Sequence, residues 1–122
     1  MIKFEYLELE YVLEMVRILN VGPVRDIGLL DSAVNRPRSS AFGEDAYPNF
    51  SFKAAALIHS MTKNHALVDG NKRVAWLSSV VYCDLNVFPQ RLADDEAFHL
   101  VWDIASSEVD VPSIAGRLHT AH

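Results

Sequence analysis

Apolar residues in this chain recur at three- and four-residue spacing almost throughout, and strand-like alternation is confined to short stretches such as Asn86 to Phe88. That pattern restricts the fold to the all-α class. From about Glu8 to Asn20 the residues Leu9, Val12, Val16 and Leu19 fall on one helical face, and Gly22-Pro23 ends the run. Asp26 suits an N-cap, and a second short helix carries Ile27, Leu30 and Val34 inward, stopping before Pro37 because a residue ahead of proline is pushed out of the helical region. A third helix, capped by Ser51 and running to about Asn64, presents Ala54, Leu57, Ile58 and Met61 as a buried face.

The period breaks between His65 and Gly70 and resumes at Asn71, where Val74, Leu77, Val81 and Leu85 keep helical spacing and Trp76 and Val80 widen the face. So broad a face predicts a central, largely buried helix. After Pro89, Asp94 or Asp95 is placed to cap a helix with Ala97, Val101 and Ile104 on one side; a last helix begins near Pro112, with Ile114 and Leu118 inward. The segment Asn35 to Phe50 holds two prolines, a glycine and no period, and reads as a long surface loop, a length usually tied to function.

At 122 residues, half of them apolar, the chain is long enough for one core without disulfide or metal staples, and no linker or repeat divides it, so a single domain over residues 1–122 is expected. No apolar run approaches the 20 or so residues needed to span a bilayer, and the first fifteen residues lack the basic-then-apolar order of a signal peptide. Cys83, the sole cysteine, can form no internal disulfide and reads as a small core residue. A cytoplasmic protein is the expectation. The net charge of -5 argues against nucleic acid or an anionic membrane as partners, yet Lys63, Lys72 and Arg73 with His65 form a small basic island around one acid, Asp69.

That island is the segment His65-Ala66-Leu67-Val68-Asp69-Gly70-Asn71-Lys72-Arg73, a loop leading into a helix. A helix N-terminus presents unpartnered N–H groups and partial positive charge, a ready phosphate site. Gly70 permits close backbone approach. Asn71 can cap the helix or reach an anion, and Lys72 and Arg73 add two full charges. Asp69 suits a magnesium ion bridging phosphate oxygens, and His65 carries the side chain best suited to take a proton from an attacking hydroxyl. Together they are the parts of a phosphoryl or nucleotidyl transferase. Neither GxxxxGK[ST] nor GxGxxG occurs. Taken one at a time the same residues are ordinary: Asp69-Gly70-Asn71 is a turn signal, and Lys72-Arg73 a solvated face.

The segment HALVDGNKR resembles the signature of the Fic/Doc family, and its Asn-Lys-Arg ending is similar to the Doc (death-on-curing) branch, since Fic proteins usually have glycine after the asparagine. GLLDSAV and AFGEDAYPNFSFKAAALIHSMTKNH resemble the Doc pattern in order and spacing, extending the likeness from about Gly22 to Leu118. The resemblance implies a helical bundle around a central motif-bearing helix. It implies His65 as general base, Asp69 as magnesium ligand, Gly70 and Asn71 as an anion nest, and Lys72 and Arg73 as catalytic, phosphate-binding cations. It implies ATP and Mg2+, transfer of the γ-phosphate to elongation factor Tu with translation arrest, and an antitoxin covering the site. Tyr47, Pro48 and Asn49 fall where the family places a loop that docks the target, and Lys63 is a candidate for the site mouth.

Three residues depart from the family pattern. Leu67 stands for the usual Phe, Ala66 for the common Pro, and Trp76 for a second arginine found in Fic transferases, which weakens an AMP-transfer reading. AMP transfer remains the alternative, and a catalytically silent interaction module is a further one. His59, His99, His119 and His122 have no metal-ligand spacing and read as structural or exposed.

Overall fold

The computed structural model describes residues 3–118, and His119 and His122 lie outside them. Six helices follow in order: α1 (Leu9–Leu19), α2 (Ile27–Asn35), α3 (Phe50–Lys63), α4 (Asn71–Leu85), α5 (Asp94–Ser106) and α6 (Val111–Arg117). The all-α expectation holds, with one addition. The stretch read as a featureless loop begins with a 3-10 turn (Arg36–Arg38) that buries Pro37. It continues as a two-residue hairpin, β1 (Ser40–Ala41) against β2 (Glu44–Asp45). Asn86 to Phe88, the one segment with strand-like alternation, is instead a turn closing α4, with Phe88 N–H donating back to Cys83 O at 3.0 Å. No helix among the described residues is long and apolar enough to cross a membrane.

Helix boundaries follow short polar side chains. Asp26 caps α2 by accepting from Leu29 N–H at 3.0 Å, and Asp110 caps α6 by accepting from Ser113 N–H at 3.0 Å. Two expected caps move. α3 is capped by Asn49, whose Oδ1 accepts from Phe52 N–H at 2.9 Å, not by Ser51, because the helix starts two residues early and buries Phe50. α5 has Ala93 at its N-cap with Asp94 and Asp95 inside the first turn. Glu96 reaches back to accept from Ala93 N–H at 3.1 Å. α1 ends at Asn20, in the left-handed conformation (φ 55°), two residues before Gly22-Pro23.

The centre of the bundle is α3. It packs against α2, the 3-10 turn, α4, α5 and α6, and Ala54, Ala55, Ala56, Leu57 and Ile58 are all fully buried. Sequence periodicity assigns that place to α4. The reason lies in side-chain size. Three consecutive alanines let neighbours approach α3 from every side, and α4 buries its small residues Ala75, Ser78, Ser79 and Cys83, with Val74 and Tyr82. Its bulkier Leu77 and Val81 are half-buried and Leu85 is exposed. Cys83 is buried, and burial pushes its thiol up to about 12, so it stays protonated and unreactive. Ile27, expected inward, is exposed; Leu30, Ala33 and Val34 carry the inner face of α2.

Below the far end of α3 an aromatic cluster of Phe4, Tyr6, Phe50, Tyr82 and Phe88 closes the core, with Phe50 5.0 Å from Tyr82 and 4.9 Å from Phe88. Lys53 is fully buried among these rings. Its Nζ lies 5.4 Å from Phe4 and 5.5 Å from Tyr6, and donates to Pro37 O and Asp45 Oδ2, each at 3.3 Å. Asn86 ties the leading segment down by accepting from Glu5 N–H at 2.8 Å and donating to Glu5 O at 2.9 Å. Replacing Asn49 with Ala removes the α3 cap and is expected to lower the unfolding free energy by about 1 kcal/mol, read as a fall in the urea midpoint.

Candidate functional site

Residues 66–69 lie against the connection between α1 and α2. Gly22 N–H donates to Asp69 O at 2.9 Å, Val68 N–H to Pro23 O at 2.9 Å, and Arg25 N–H to Ala66 O at 2.7 Å, with Val24 and Leu67 forming an antiparallel bridge. A loop without regular structure of its own thus has its backbone groups satisfied by a distant segment. Ala66 and Leu67 are both 3% exposed, so the two substituted positions of the motif still anchor the loop in the core. Gly70 sits in the left-handed region at φ 90°. A Cβ there would meet Val21 Cβ at 2.5 Å, so glycine is required by conformation and by the packing of Val21.

Asn71 opens α4, but its side chain neither caps the helix nor points free. Its Oδ1 accepts from Leu67 N–H at 3.0 Å and its Nδ2 donates to Leu67 O at 2.9 Å. The amide is engaged in holding the loop, and the N-cap position is Gly70, which has no side chain, so the first turn of α4 has no side-chain cap. Its N–H groups and the positive end of the helix dipole therefore remain available to an anion.

His65, Asp69, Gly70, Asn71, Lys72 and Arg73 line one cavity of about 740 Å³. Its apolar wall comes from Leu19 of α1, Trp76 and Leu77 of α4, and Ala97, Phe98 and Val101 of α5. Thr62 of α3 also lines it, with a buried hydroxyl that has no hydrogen-bond partner. At the rim, Phe98 and Trp102 are exposed and stacked at 5.9 Å, and Lys72 Nζ lies 5.4 Å from the Trp102 ring. Arg73 reaches back to Asp69 at 3.8 Å, an exposed ion pair. Asp69 is thus a single carboxylate paired with Arg73 ahead of an uncapped helix, in a cavity that Lys72 also lines. Among the described residues no three His, Cys, Asp or Glu side chains gather into a cage. Such a donor set fits a magnesium ion that takes most of its ligands from phosphate and water.

Other candidates lie elsewhere. Lys63 turns away and donates to Ser107 O at 2.9 Å, at the end of α5. Tyr47, Pro48 and Asn49 precede α3 whereas His65 follows it, so the length of that helix, about 20 Å, separates them. None of the three lines the cavity. Asn49 is the α3 cap, and Tyr47 accepts from Arg36 Nε at 2.9 Å. His99 is exposed, edge-on to Phe98. His59 is half-buried with Nδ1 2.7 Å from Arg36 Nη1; since a guanidinium only donates, Nδ1 accepts and the ring proton sits on Nε2.

One residue that motif reading passes over is Arg25. Its Nε donates to His65 O at 3.1 Å and its Nη2 donates to the same oxygen. Forty positions separate it from His65, and no spacing rule links them. The flanking Asp26 cap was visible in the sequence, but the contact with His65 exists only once α1 and α2 are folded.

Two measurements probe this arrangement. Gly70→Ala is expected to cost about 2–4 kcal/mol from the left-handed conformation and the Val21 overlap together, and Val21→Ala in the same chain should recover the steric share. Burial first, then the Arg36 charge, holds the His59 imidazole below its ordinary value. The folded state thus binds this proton less readily than the unfolded chain. His59's contribution is intact above the ordinary histidine value of about 6.5 and is lost as pH falls through it. Urea midpoints should decline over that window, and His59→Gln should flatten the decline.

The Fic/DOC family model matches residues 6–83. Toxin Doc of Mycolicibacterium smegmatis is 46% identical over 119 residues, covering 93% of this chain and 91% of that one. The family match includes α3, the motif loop and α4 as far as Cys83, and so takes in His65, Asp69, Gly70, Asn71, Lys72 and Arg73 of the cavity lining, while the wall from α5 lies beyond it. The chain belongs to the Fic/Doc family.

Proposed function

We propose that this chain is the toxin of a toxin–antitoxin pair and acts as an ATP-dependent protein phosphotransferase. The observation that carries the reading is that His65, Asp69, Lys72 and Arg73 line a single cavity at the uncapped start of α4. The name and extent of the relative from Mycolicibacterium smegmatis support the toxin assignment. The substrate protein is a translation factor, with elongation factor Tu as the target to test, and its modification in the cytoplasm arrests translation.

In this reading the first-turn N–H groups of α4, with Lys72 and Arg73, bind the phosphates of ATP and offset the charge that develops as the γ-phosphoryl group moves. His65 takes the proton from the target hydroxyl as its oxygen bonds to the γ-phosphorus. The bond from that phosphorus to the bridging oxygen breaks, and ADP leaves. Asp69 would hold Mg2+, which when bound supplies neutralisation of phosphate charge. Arg73 is already at Asp69, so both groups sit where one nucleotide can engage them. The apolar wall and the exposed Phe98–Trp102 pair give an antitoxin a surface beside the same opening.

Trp76 lines the cavity where a Fic-type AMP transferase would carry a further cation for the nucleotide, which favours γ-phosphoryl over AMP transfer. The test incubates the chain and elongation factor Tu with ATP labelled separately at the α- and γ-phosphorus. Label from the γ-position alone is the expected result, and α-label in the target would overturn the kinase reading. His65→Ala is expected to reduce transfer by about 100-fold or more, the scale of losing a positioned base, while leaving the fold intact because the side chain is exposed.

A further inference from the structure

We infer that Arg25 is a positioning residue for His65, fixing the backbone from which the imidazole projects. The inference rests on the reading of His65 as the base. His65 is not glycine, yet it occupies the left-handed region at φ 49°, immediately after the α3 C-cap Asn64. For a side chain with a Cβ that conformation is strained, and it persists only where the surroundings hold it.

The surroundings on both flanks are identifiable. On one side Asn64 Nδ2 donates to Leu29 O at 3.0 Å, and Asn64 N–H donates to Ser60 O at 2.9 Å. On the other, Ala66 O accepts from the N–H groups of Arg25 at 2.7 Å and Asp26 at 3.1 Å. Between these fixed points lies the His65–Ala66 peptide, and the Arg25 guanidinium grips its carbonyl with two donors, Nε and Nη2. Two N–H groups of a planar fork on one oxygen restrain the rotation of that peptide as well as its position. Among the described residues Arg25 has no carboxylate within ion-pair distance, so no competing charge draws the guanidinium away. Rotation of this peptide swings the His65 Cα–Cβ bond, and with it the imidazole, while the ladder at 66–69 and the start of α4 stay in place. Arg25 thus bears on proton removal and not on nucleotide binding.

The experiment uses the full chain and the variants R25A, R25K and H65A. Three quantities are read: the intracellular amount of protein that halves growth rate, the affinity for Mg·ATP by titration calorimetry, and the melting temperature. For R25A the amount needed for arrest is expected to rise about 10- to 100-fold, the scale of misplacing a reacting group by about an ångström, with Mg·ATP affinity unchanged within twofold. R25K, which keeps the charge and can donate from one nitrogen but lacks the planar two-nitrogen fork, should recover part of the loss. R25A arresting growth as well as the parent, while H65A does not, overturns the role of Arg25 and leaves the base reading standing. H65A arresting growth as well as the parent overturns the base reading and this inference with it. A loss in R25A matched by falls in Mg·ATP affinity or melting temperature shows general structural damage and overturns the positioning role, as does an R25K variant no better than R25A.

Discussion

The cavity depends on one short backbone ladder, in which residues 22–26 hold residues 66–69. Neither segment belongs to a helix, and each supplies hydrogen-bond partners for the backbone groups of the other. Val21 at one end excludes any side chain from position 70, and Arg25 at the other grips His65 O. The motif is therefore only half of a two-part structure whose second half precedes α2. Helices α1 and α2 contribute little to the lining of the cavity but fix the segment that holds it.

Packing around α3 explains why the cavity opens where it does. The alanine run draws α4 close through Ala75, Ser78, Ser79 and Cys83, which turns Trp76 and Leu77 outward toward α5 and into the cavity wall. Large side chains that a simple apolar count would bury become the lining of a binding space. At the other end of α3, Lys53 offsets the cost of burial with two oxygen acceptors and two aromatic faces. The loop before α3 lies at that end, where Asn49 caps the helix and Tyr47 accepts from Arg36.

The sequence made the helices legible because their period is local: the inner faces of α1, α3, α5 and α6 follow from spacing alone, as do the Asp26 cap and the first-turn Pro112. The motif was legible because its chemistry is contiguous, from His65 to Arg73. What escaped depends on contacts between distant segments. The burial of α4 was displaced by the size of residues on α3, which no period within α4 records. Asn71 reads as a cap or anion ligand from its place, whereas its amide is occupied by Leu67 backbone groups that only the folded loop presents. Lys63 is two residues from the motif in sequence, yet the end of α5 captures it.

The pairing of Arg73 with Asp69 has a thermodynamic consequence. Both side chains are largely exposed, 62% and 80%, and four residues apart on one helical start, a geometry that contributes only about 0.3–0.5 kcal/mol. The pair is thus weak enough to exchange partners readily. An anion that engages Arg73 leaves the Asp69 carboxylate without its counter-charge and more attractive to a cation, and a cation at Asp69 releases Arg73 in turn. Through this pair alone, an anion at Arg73 and a cation at Asp69 would each raise the affinity for the other by the same factor, only about twofold for so weak a contact.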